Sequence, residues 1–147
     1  GNTTVDASMI VAAKTIMSKA RGKTKLIFPI DFVCAESTDH GGVTEICDVG
    51  KIPNDLMGLD IGPKTIESFS KHITESDTII WNGPMGVFEL TPFAAGTNAL
   101  ARLVAESDSI SVVGGGDSVA AVRKSGMAKD ISHISAILEK HWSFNLL

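Results

Sequence analysis

The sequence predicts an α/β fold, a parallel β-sheet with helices on both faces. From residue 57 onward, short apolar segments alternate with amphipathic segments of helical length, which is the pattern of a parallel sheet with crossover helices. Glycine-rich turns follow several of the apolar segments, as expected where such strands end. The 147 residues are 44% hydrophobic and 20% charged, a composition typical of one globular domain with a single core.

The first element is predicted to be a helix, because apolar residues recur at helical spacing between Val5 and Met17 and Gly22 follows a basic residue. Such a stripe is far more often part of a core than of a cofactor site. Residues 25–29 and 32–35 predict one buried strand that is broken or bent at Pro29. Residues 37–54 are polar and glycine-containing, which indicates a long surface excursion with a brief strand at 44–49.

The second half of the chain repeats the order strand, turn, helix. Pro63 suits the first position of a helix, because the backbone N–H that proline lacks has no intrahelical acceptor there. The predicted elements are a strand at 57–61, a helix at 63–72, a strand at 78–81, a helix at 92–105, a strand at 109–113 and a helix from 114–118 to about 126. Parallel strands and crossover helices of these lengths predict a Rossmann-like three-layer arrangement.

Composition excludes several classes of function. The net charge is −4, with 13 basic and 17 acidic residues spread along the chain, so neither nucleic acid nor an anionic membrane is an expected partner. Cys34 and Cys47 have no CxxC spacing and no neighbouring histidine, which favours buried free thiols in a reducing compartment over a metal site. The first residues lack the features of a secretory signal, and we expect a cytoplasmic protein.

Residues 114–118, Gly-Gly-Gly-Asp-Ser, follow a predicted strand and open a helix. Their backbone can approach a phosphate, and the N–H groups at a helix start attract negative charge. Asp117 could then hold a magnesium ion that bridges phosphate oxygens. The alternative is a glycine-rich turn with Asp117 or Ser118 as an ordinary N-cap, and it is at least as well supported, because neither GxGxxG nor GxxxxGK[ST] is present.

Residues 81–89, WNGPMGVFE, predict a shaped loop that is unusually rich in apolar side chains. Such a loop must be covered by the fold or by a ligand, and Glu89 could accept hydrogen bonds from a ribose diol. The alternative is that Trp81, Val87 and Phe88 seal the core while Glu89 lies in water.

Residues 57–63, MGLDIGP, form a third candidate segment. Gly58 would let a flat base lie against the backbone and Leu59 would supply an apolar contact. The alternative is a plain strand that leads into a helix. The four histidines are dispersed and suggest neither a triad nor a metal site.

Four segments in this order, MGLDIGPKTI, WNGPMGVFE, GGGDSVAAV and SHIS, resemble the C-terminal, nucleotide-binding domain of phosphoglycerate kinase. The likeness assigns residues 1–135 to that domain, incomplete at both ends, and leaves residues 136–147 as a divergent tail. It implies a glycolytic transferase, a kinase that moves a phosphoryl group between 1,3-bisphosphoglycerate and ADP to give 3-phosphoglycerate and ATP. The implied cofactors are ATP or ADP and Mg²⁺.

The resemblance also implies roles for individual residues. It places Gly58 and Leu59 by the adenine, Asn82 and Pro84 near the nucleotide, and Glu89 at the ribose hydroxyls. The phosphates would meet Gly115, Gly116, Asp117 and Ser118, with Asp117 as the magnesium ligand. No residue of this chain receives a catalytic role. Phosphoglycerate would bind only through the N-terminal domain, which this chain lacks, and members of the family are usually monomeric.

Two departures from the family pattern predict that the chain alone is inactive. The earlier part of the nucleotide domain, with its phosphate-binding lysines, is missing, as is the whole phosphoglycerate-binding domain. After Ser135 the family continues with a TGGGAS-like turn, whereas this chain continues AILEKHWSF. That turn is expected to stabilise the transferred phosphoryl group, so its loss should impair the chemistry. A reading-frame shift near Ser135 is one hypothesis for the tail.

The sequence leaves one alternative to the kinase segment, a non-catalytic nucleotide-binding or structural remnant. A Rossmann dinucleotide-binding domain is disfavoured, because GxGxxG and an acidic residue about twenty positions beyond it are both absent.

Overall fold

A computed structural model describes residues 1–2, 6–39 and 42–135, and these form the expected α/β fold. The tail predicted at 136–147 lies outside the described residues. The elements in chain order are α1 (Ala7–Ala20), β1 (Asp31–Ala35), β2 (Glu45–Asp48), β3 (Met57–Ile61), α2 (Pro63–Thr74), β4 (Thr78–Asn82), α3 (Ala95–Glu106), β5 (Ile110–Gly114), α4 (Gly116–Lys124) and β6 (His133–Ser135). Short 3-10 helices lie at Thr91–Phe93 and Ala128–Asp130.

A parallel sheet forms from β4, β5 and β6 in the order β4-β5-β6. The register pairs Asn82 with Gly114 and Gly114 with Ser135, so the carboxyl ends of the three strands lie side by side. Ser111 and Ser132 fasten β6 to β5, because each hydroxyl accepts the backbone N–H of the other serine, at 3.1 and 3.0 Å. This sheet confirms the parallel pairing expected from the alternation of strands and helices.

A second sheet has the order β2-β1-β3 and is antiparallel throughout. The sequence pattern predicts β3 in the same strand-helix alternation as β4 and β5. The reason for the difference lies in the connection between β1 and β3, which contains β2 and no described helix. Parallel neighbours need a long crossover, usually helical, whereas antiparallel neighbours do not.

The prediction of a strand at residues 25–29 is wrong. Regular β-structure begins only at Asp31, and Leu26 and Phe28 are exposed. Within the described ranges no strand pairs with residues 25–29, so their backbone lacks the ladder of hydrogen bonds that defines a strand.

The main core lies between the parallel sheet and helices α2, α3 and α4. Its buried members are Ile61, Trp81, Leu100, Ala101, Val104, Val113, Val119, Val122 and Ile131. Side chains alternate across a strand, so Ile80, next to Trp81, points to the other face of the sheet. Ile80 is 58% exposed and Ile110 is 57% exposed, which leaves that face open in this part of the chain.

Helix α1 begins after Asp6, whose carboxylate accepts the Ser8 N–H at 2.7 Å as an N-cap. The apolar stripe of this helix was expected to lie in a core, and the structure corrects that expectation, because α1 has no buried residue. Met9 is 68% exposed and Val11 is 66% exposed. No described element packs against α1 through more than isolated contacts. Val5, the first residue of the stripe, lies outside the described residues.

Helix α2 is capped from a distance by Asp31 at the start of β1. The Asp31 carboxylate accepts the backbone N–H groups of Lys64 and Thr65, at 3.0 and 2.8 Å, and the Thr65 hydroxyl at 2.6 Å. Burial alone would raise the pKa of Asp31, but these donors together outweigh it and hold the pKa below its usual value. Gly62 is required beside it, since a Cβ there would lie 2.3 Å from the Asp31 carboxyl carbon.

Cys34 and Cys47 are buried free thiols, as expected. Burial, with a smaller effect of the Cys47 thiol, raises the pKa of Cys34 to about 11. Among the helices that the structure describes, none is both long and apolar enough to span a bilayer.

Candidate functional site

The carboxyl ends of β4 and β5 form the edge at which the candidate residues gather. Asn82 ends β4 and is paired with Gly114, which ends β5. Gly115 follows with a φ of 90°, a backbone conformation that favours glycine, and it leads directly into α4. In parallel α/β sheets, ligands bind beyond this edge.

The start of α4 has the features of an anion-binding site. The Val119 N–H donates to the Gly115 carbonyl at 3.0 Å, so the N–H groups of Asp117 and Ser118 precede the first hydrogen bond of the helix. Such groups, together with the helix dipole, stabilise an anion. Asp117 lies exposed in this first turn.

The carboxylate available for metal binding in the first turn of α4 is that of Asp117. Within the described ranges no group of three or more His, Cys, Asp or Glu residues is placed to hold an ion. This fits Mg²⁺ in nucleotide sites, which usually takes one or two carboxylates, phosphate oxygens and several waters.

The side chain of Ser118 is committed to the fold. It is 1% exposed, and its hydroxyl accepts the Gly83 N–H at 2.6 Å. Gly83 has a φ of 95°, and its carbonyl accepts the Trp81 indole N–H at 2.6 Å. These bonds fix the beginning of the 82–89 loop against the start of α4. Any contact of Ser118 with a ligand is therefore left to its backbone.

The middle of the 82–89 loop is held by α3 and β3. The hydroxyl of Thr97, which is fully buried, accepts the N–H groups of Met85 and Gly86 at 3.1 and 3.4 Å. One residue later, the Val87 N–H donates to the Leu59 carbonyl at 2.9 Å. These bonds place the loop against the β3 segment that the sequence analysis assigned to the base.

Asp60 organises this region, although no role for it was predicted from the sequence. Its carboxylate is 2% exposed and accepts the Gly96 N–H at 2.7 Å and the Ile61 N–H at 2.9 Å. Burial raises the pKa of Asp60, while the two N–H donors oppose the rise. A Cβ on Gly86 or on Gly96 would lie 2.4 Å from the carboxylate, so both positions require glycine. The signal in the sequence was an aspartate inside an apolar strand, because a carboxylate is rarely buried without partners.

Gly58 and Leu59 are placed differently from each other. Leu59 is 9% exposed and packs in a small core with Ala35 and Phe93, so its side chain is used by the fold. Gly58 is half-buried, and a Cβ built on it would lie 3.4 Å from the Phe32 ring, at ordinary contact distance. Packing within the described residues therefore tolerates alanine at this position.

The remaining candidates are accessible. Asn82 and Glu89 are exposed and Pro84 is half-buried, whereas Trp81 and Phe88 lie in the core at 7% exposure each. Trp81 and Phe88 thus seal the core while Glu89 is exposed, which is the arrangement that the alternative interpretation of the WNGPMGVFE segment predicts, and the ribose contact of Glu89 stays a prediction. The loop runs beside α4, because Gly83 contacts its first turn and the carbonyls of Phe88 and Glu89 accept from Lys124 at its last residue.

Comparison with known proteins identifies the family. The family model for phosphoglycerate kinase matches residues 1–137. A phosphoglycerate kinase from Rubrobacter xylanophilus is 50% identical over 135 residues, covering 92% of this chain and 34% of that protein. The enzyme of the same name from Herpetosiphon aurantiacus is 43% identical over 136 residues, with the same coverage of both chains. The chain therefore spans about a third of the length of these curated relatives.

Solved structures agree with the sequence comparison. The phosphoglycerate kinase of Coxiella burnetii superposes with a TM-score of 0.90 at 33% identity, covering 95% of this chain and 38% of that one. The phosphoglycerate kinase of Pyrococcus horikoshii OT3 gives a TM-score of 0.73 at 31% identity, over 88% of this chain and 31% of that one. With the family model matching nearly the whole sequence, the chain belongs to the phosphoglycerate kinase family.

Proposed function

We propose that this chain is the nucleotide-binding, C-terminal part of a phosphoglycerate kinase and that it binds MgADP or MgATP along the carboxyl edge of the parallel sheet. The observation that carries the proposal is the alignment of two segments. The 82–89 loop contacts both ends of α4, so Asn82 and Asp117 share one end while Glu89 lies beside the other.

The phosphates would bind at the start of α4. Polar groups suited to an anion are the N–H groups of Asp117 and Ser118 and the adjacent Asn82. The positive φ of Gly115 forms the turn that leads into them. The candidate magnesium ligand is Asp117. Mg²⁺ held there would neutralise charge on the phosphate oxygens, a requirement of phosphoryl transfer.

The ribose and base would extend from this point toward β3. Glu89 is exposed and carries a carboxylate that suits the two hydroxyls of a ribose. Gly58 supports the base site. Packing among the described residues leaves room for a side chain at this position, so it does not explain why the residue is glycine. A flat base that lies on the backbone would explain it. Leu59 would contribute backbone and shape only, since its side chain is buried in the fold.

The parent reaction is reversible phosphoryl transfer between 1,3-bisphosphoglycerate and ADP. We expect these 147 residues to perform no turnover alone, because they cover about a third of the length of the curated relatives and because AILEKHWSF stands where the family has a TGGGAS-like turn. Binding of MgADP by these residues should be weaker than micromolar, since the candidate phosphate segment, residues 114–118, contains no lysine or arginine.

A titration of the ¹⁵N-labelled chain with MgADP, followed by NMR, tests the proposal. We expect shifts that saturate at Asn82, Glu89 and residues 115–118. Asp117→Asn should abolish the contribution of Mg²⁺ to affinity. Asp108→Asn is the matched control, because Asp108 is exposed just before β5, at the opposite edge of the sheet. Shifts scattered over the surface, or equal effects of the two variants, would reject nucleotide binding at this edge.

A coupled turnover assay separates the kinase segment from a non-catalytic remnant. The chain is assayed alone and with a separately supplied N-terminal domain. Activity only in the mixture supports a kinase segment, whereas nucleotide binding without activity in either assay supports the remnant.

A further inference from the structure

Lys124, the last residue of α4, contacts the end of the 82–89 loop in three ways. Its Nζ donates to the Phe88 carbonyl at 3.0 Å and to the Glu89 carbonyl at 2.9 Å. The same ammonium group lies 5.9 Å from the centre of the Phe88 ring, within the range of a cation–π contact. The motifs of the sequence drew attention to Asp117 at the other end of the helix and to Glu89, but not to this lysine.

The geometry matters because nothing else in the described chain fixes the Glu89 side chain. The carboxylate is exposed and forms no hydrogen bond or ion pair with any described residue. Its position is therefore determined by the backbone that carries it. That backbone is anchored upstream by the Val87 N–H to the Leu59 carbonyl, and the direct anchor at residue 89 itself is Lys124.

A rigid contact is expected from this arrangement. Phe88 is 7% exposed and packs with Ala94 and Ala121, so the ring cannot easily leave α4. Two carbonyls that share one cationic donor define a single position of the lysine head, and hydrogen bonds with one charged partner are stronger than neutral ones. The last turn of a helix also favours a cation.

We propose that Lys124 is a positioning residue for nucleotide binding, which holds the Phe88–Glu89 backbone so that the Glu89 carboxylate meets the ribose hydroxyls. The inference rests on the proposed function and adds to it a residue that would never touch the ligand. It assigns the two ends of α4 to two tasks, with phosphates at the first turn and control of the ribose contact at the last.

The test compares ADP with 2′,3′-dideoxy-ADP, each with Mg²⁺, in NMR titrations of the intact chain. Lys124→Met keeps a long apolar side chain and removes the donor. We expect it to weaken ADP binding by about three- to tenfold and to leave dideoxy-ADP binding unchanged within about twofold. Lys124→Arg, which retains a cationic donor, should restore most of the ADP affinity.

Two further variants complete the design. Arg123→Met removes a positive charge from the neighbouring exposed position on α4 and should alter neither affinity. In a Glu89→Gln background, Lys124→Met should have little further effect, because the contact that it positions is already lost. Hydrogen exchange of the ligand-free chain should show faster exchange at residues 88–90 in Lys124→Met, with residues 119–122 unchanged.

The outcomes separate the two proposals. Equal weakening of ADP and dideoxy-ADP, or no weakening of either, would overturn the role of Lys124 while leaving nucleotide binding intact. Failure of the unaltered chain to bind either nucleotide would overturn both the proposed function and the inference that rests on it.

Discussion

At the scale of single residues, two buried aspartates hold the described structure together and should respond to pH in opposite ways. Asp31 has a lowered pKa, because N–H and hydroxyl donors stabilise its carboxylate against the effect of burial. Asp60 has a raised pKa, because burial is the larger effect and its two N–H donors offset only part of it. Both carboxylates fix the start of a helix, α2 and α3 respectively.

The signs follow from linkage. An unfolded aspartate has a pKa of about 3.9. The folded pKa of Asp31 lies below that value. Its contribution to the free energy of unfolding is therefore fully present above about pH 3.9 and is lost as the pH falls through the folded pKa. The folded pKa of Asp60 lies above that value, so its contribution to the free energy of unfolding is fully present below about pH 3.9 and is lost as the pH rises through the folded pKa.

Urea unfolding of Asp31→Asn and Asp60→Asn should show this contrast. Between about pH 7 and about pH 3, the stability difference between wild type and Asp31→Asn is expected to narrow as the pH falls, since the wild-type carboxylate becomes protonated. As the pH falls over the same range, the free energy of unfolding of wild type should rise relative to that of Asp60→Asn. If the stability differences of the two variants from wild type changed with pH in the same direction, the lowered pKa of Asp31 and the raised pKa of Asp60 would be contradicted.

Glycine substitutions distinguish a ligand site from a packing site. Gly86→Ala would bring a Cβ to 2.4 Å from the Asp60 carboxylate, and such overpacking should cost about 1–3 kcal/mol of unfolding free energy. Gly58→Ala meets only ordinary contact with Phe32, so stability should change by less than about 1 kcal/mol.

Under the proposed function, Gly58→Ala should nevertheless weaken MgADP binding, because the new methyl group would occupy the space of the base. Thermal unfolding and NMR titration of both variants check these expectations. A Gly58→Ala chain with unchanged affinity would remove the base from this segment.

At the scale of elements, a single buried hydroxyl, that of Ser118, connects the start of the 82–89 loop to the first turn of α4. Ser118→Ala would leave the Gly83 N–H without its acceptor, at a cost of about 1–3 kcal/mol. Ser70→Ala is the control, because the Ser70 hydroxyl makes only an exposed contact with the Glu67 carbonyl within α2, and its loss should cost less than about 0.5 kcal/mol. Equal effects in urea unfolding would show that the loop does not depend on this bond.

The sequence predicted most elements well where local signals and pairing agreed. Pro63 marked the start of α2, and the glycines from 114 marked the end of β5 and the start of α4. The strand at 25–29 was wrong because its apolar residues have no described partner strand, and pairing is not a local property. The antiparallel direction of β3 was missed for the same reason, since direction depends on the path of the connection.

The candidate site was likewise predictable from the sequence only in part. The segments were recognisable because glycines and a helix start have local signatures, and the structure brings Asn82 and residues 115–118 to one edge. Asp60, Thr97 and Lys124 were missed as supports, because each bonds the backbone of a residue distant in sequence. The separation is 36 positions for Asp60 with Gly96, 36 and 35 positions for the two Lys124 bonds, and 12 and 11 positions for the two Thr97 bonds. Contacts of side chains with distant backbone leave no periodic pattern in a sequence.

At the scale of the whole molecule, the buried apolar side chains of the described residues are concentrated between the parallel sheet and helices α2 to α4, while α1 contributes an open apolar surface. Val122 is 0% exposed in that core, whereas Met9 and Val11 are 68% and 66% exposed on α1. Periodicity alone predicted the reverse for α1, since an apolar stripe shows that a helix can be covered, not that a partner is present in this part of the chain.

This distribution predicts a sharp difference between two sets of variants. Val122→Ala should lower the free energy of unfolding by about 2 kcal/mol or more, because it removes two buried methyl groups and leaves a cavity. Met9→Lys and Val11→Lys should each change it by less than about 0.5 kcal/mol, because neither side chain loses buried contacts. Sedimentation over a range of concentrations should also show less self-association in the α1 variants, since the exposed apolar surface becomes charged. A large loss of stability in either α1 variant would mean that the stripe is covered after all.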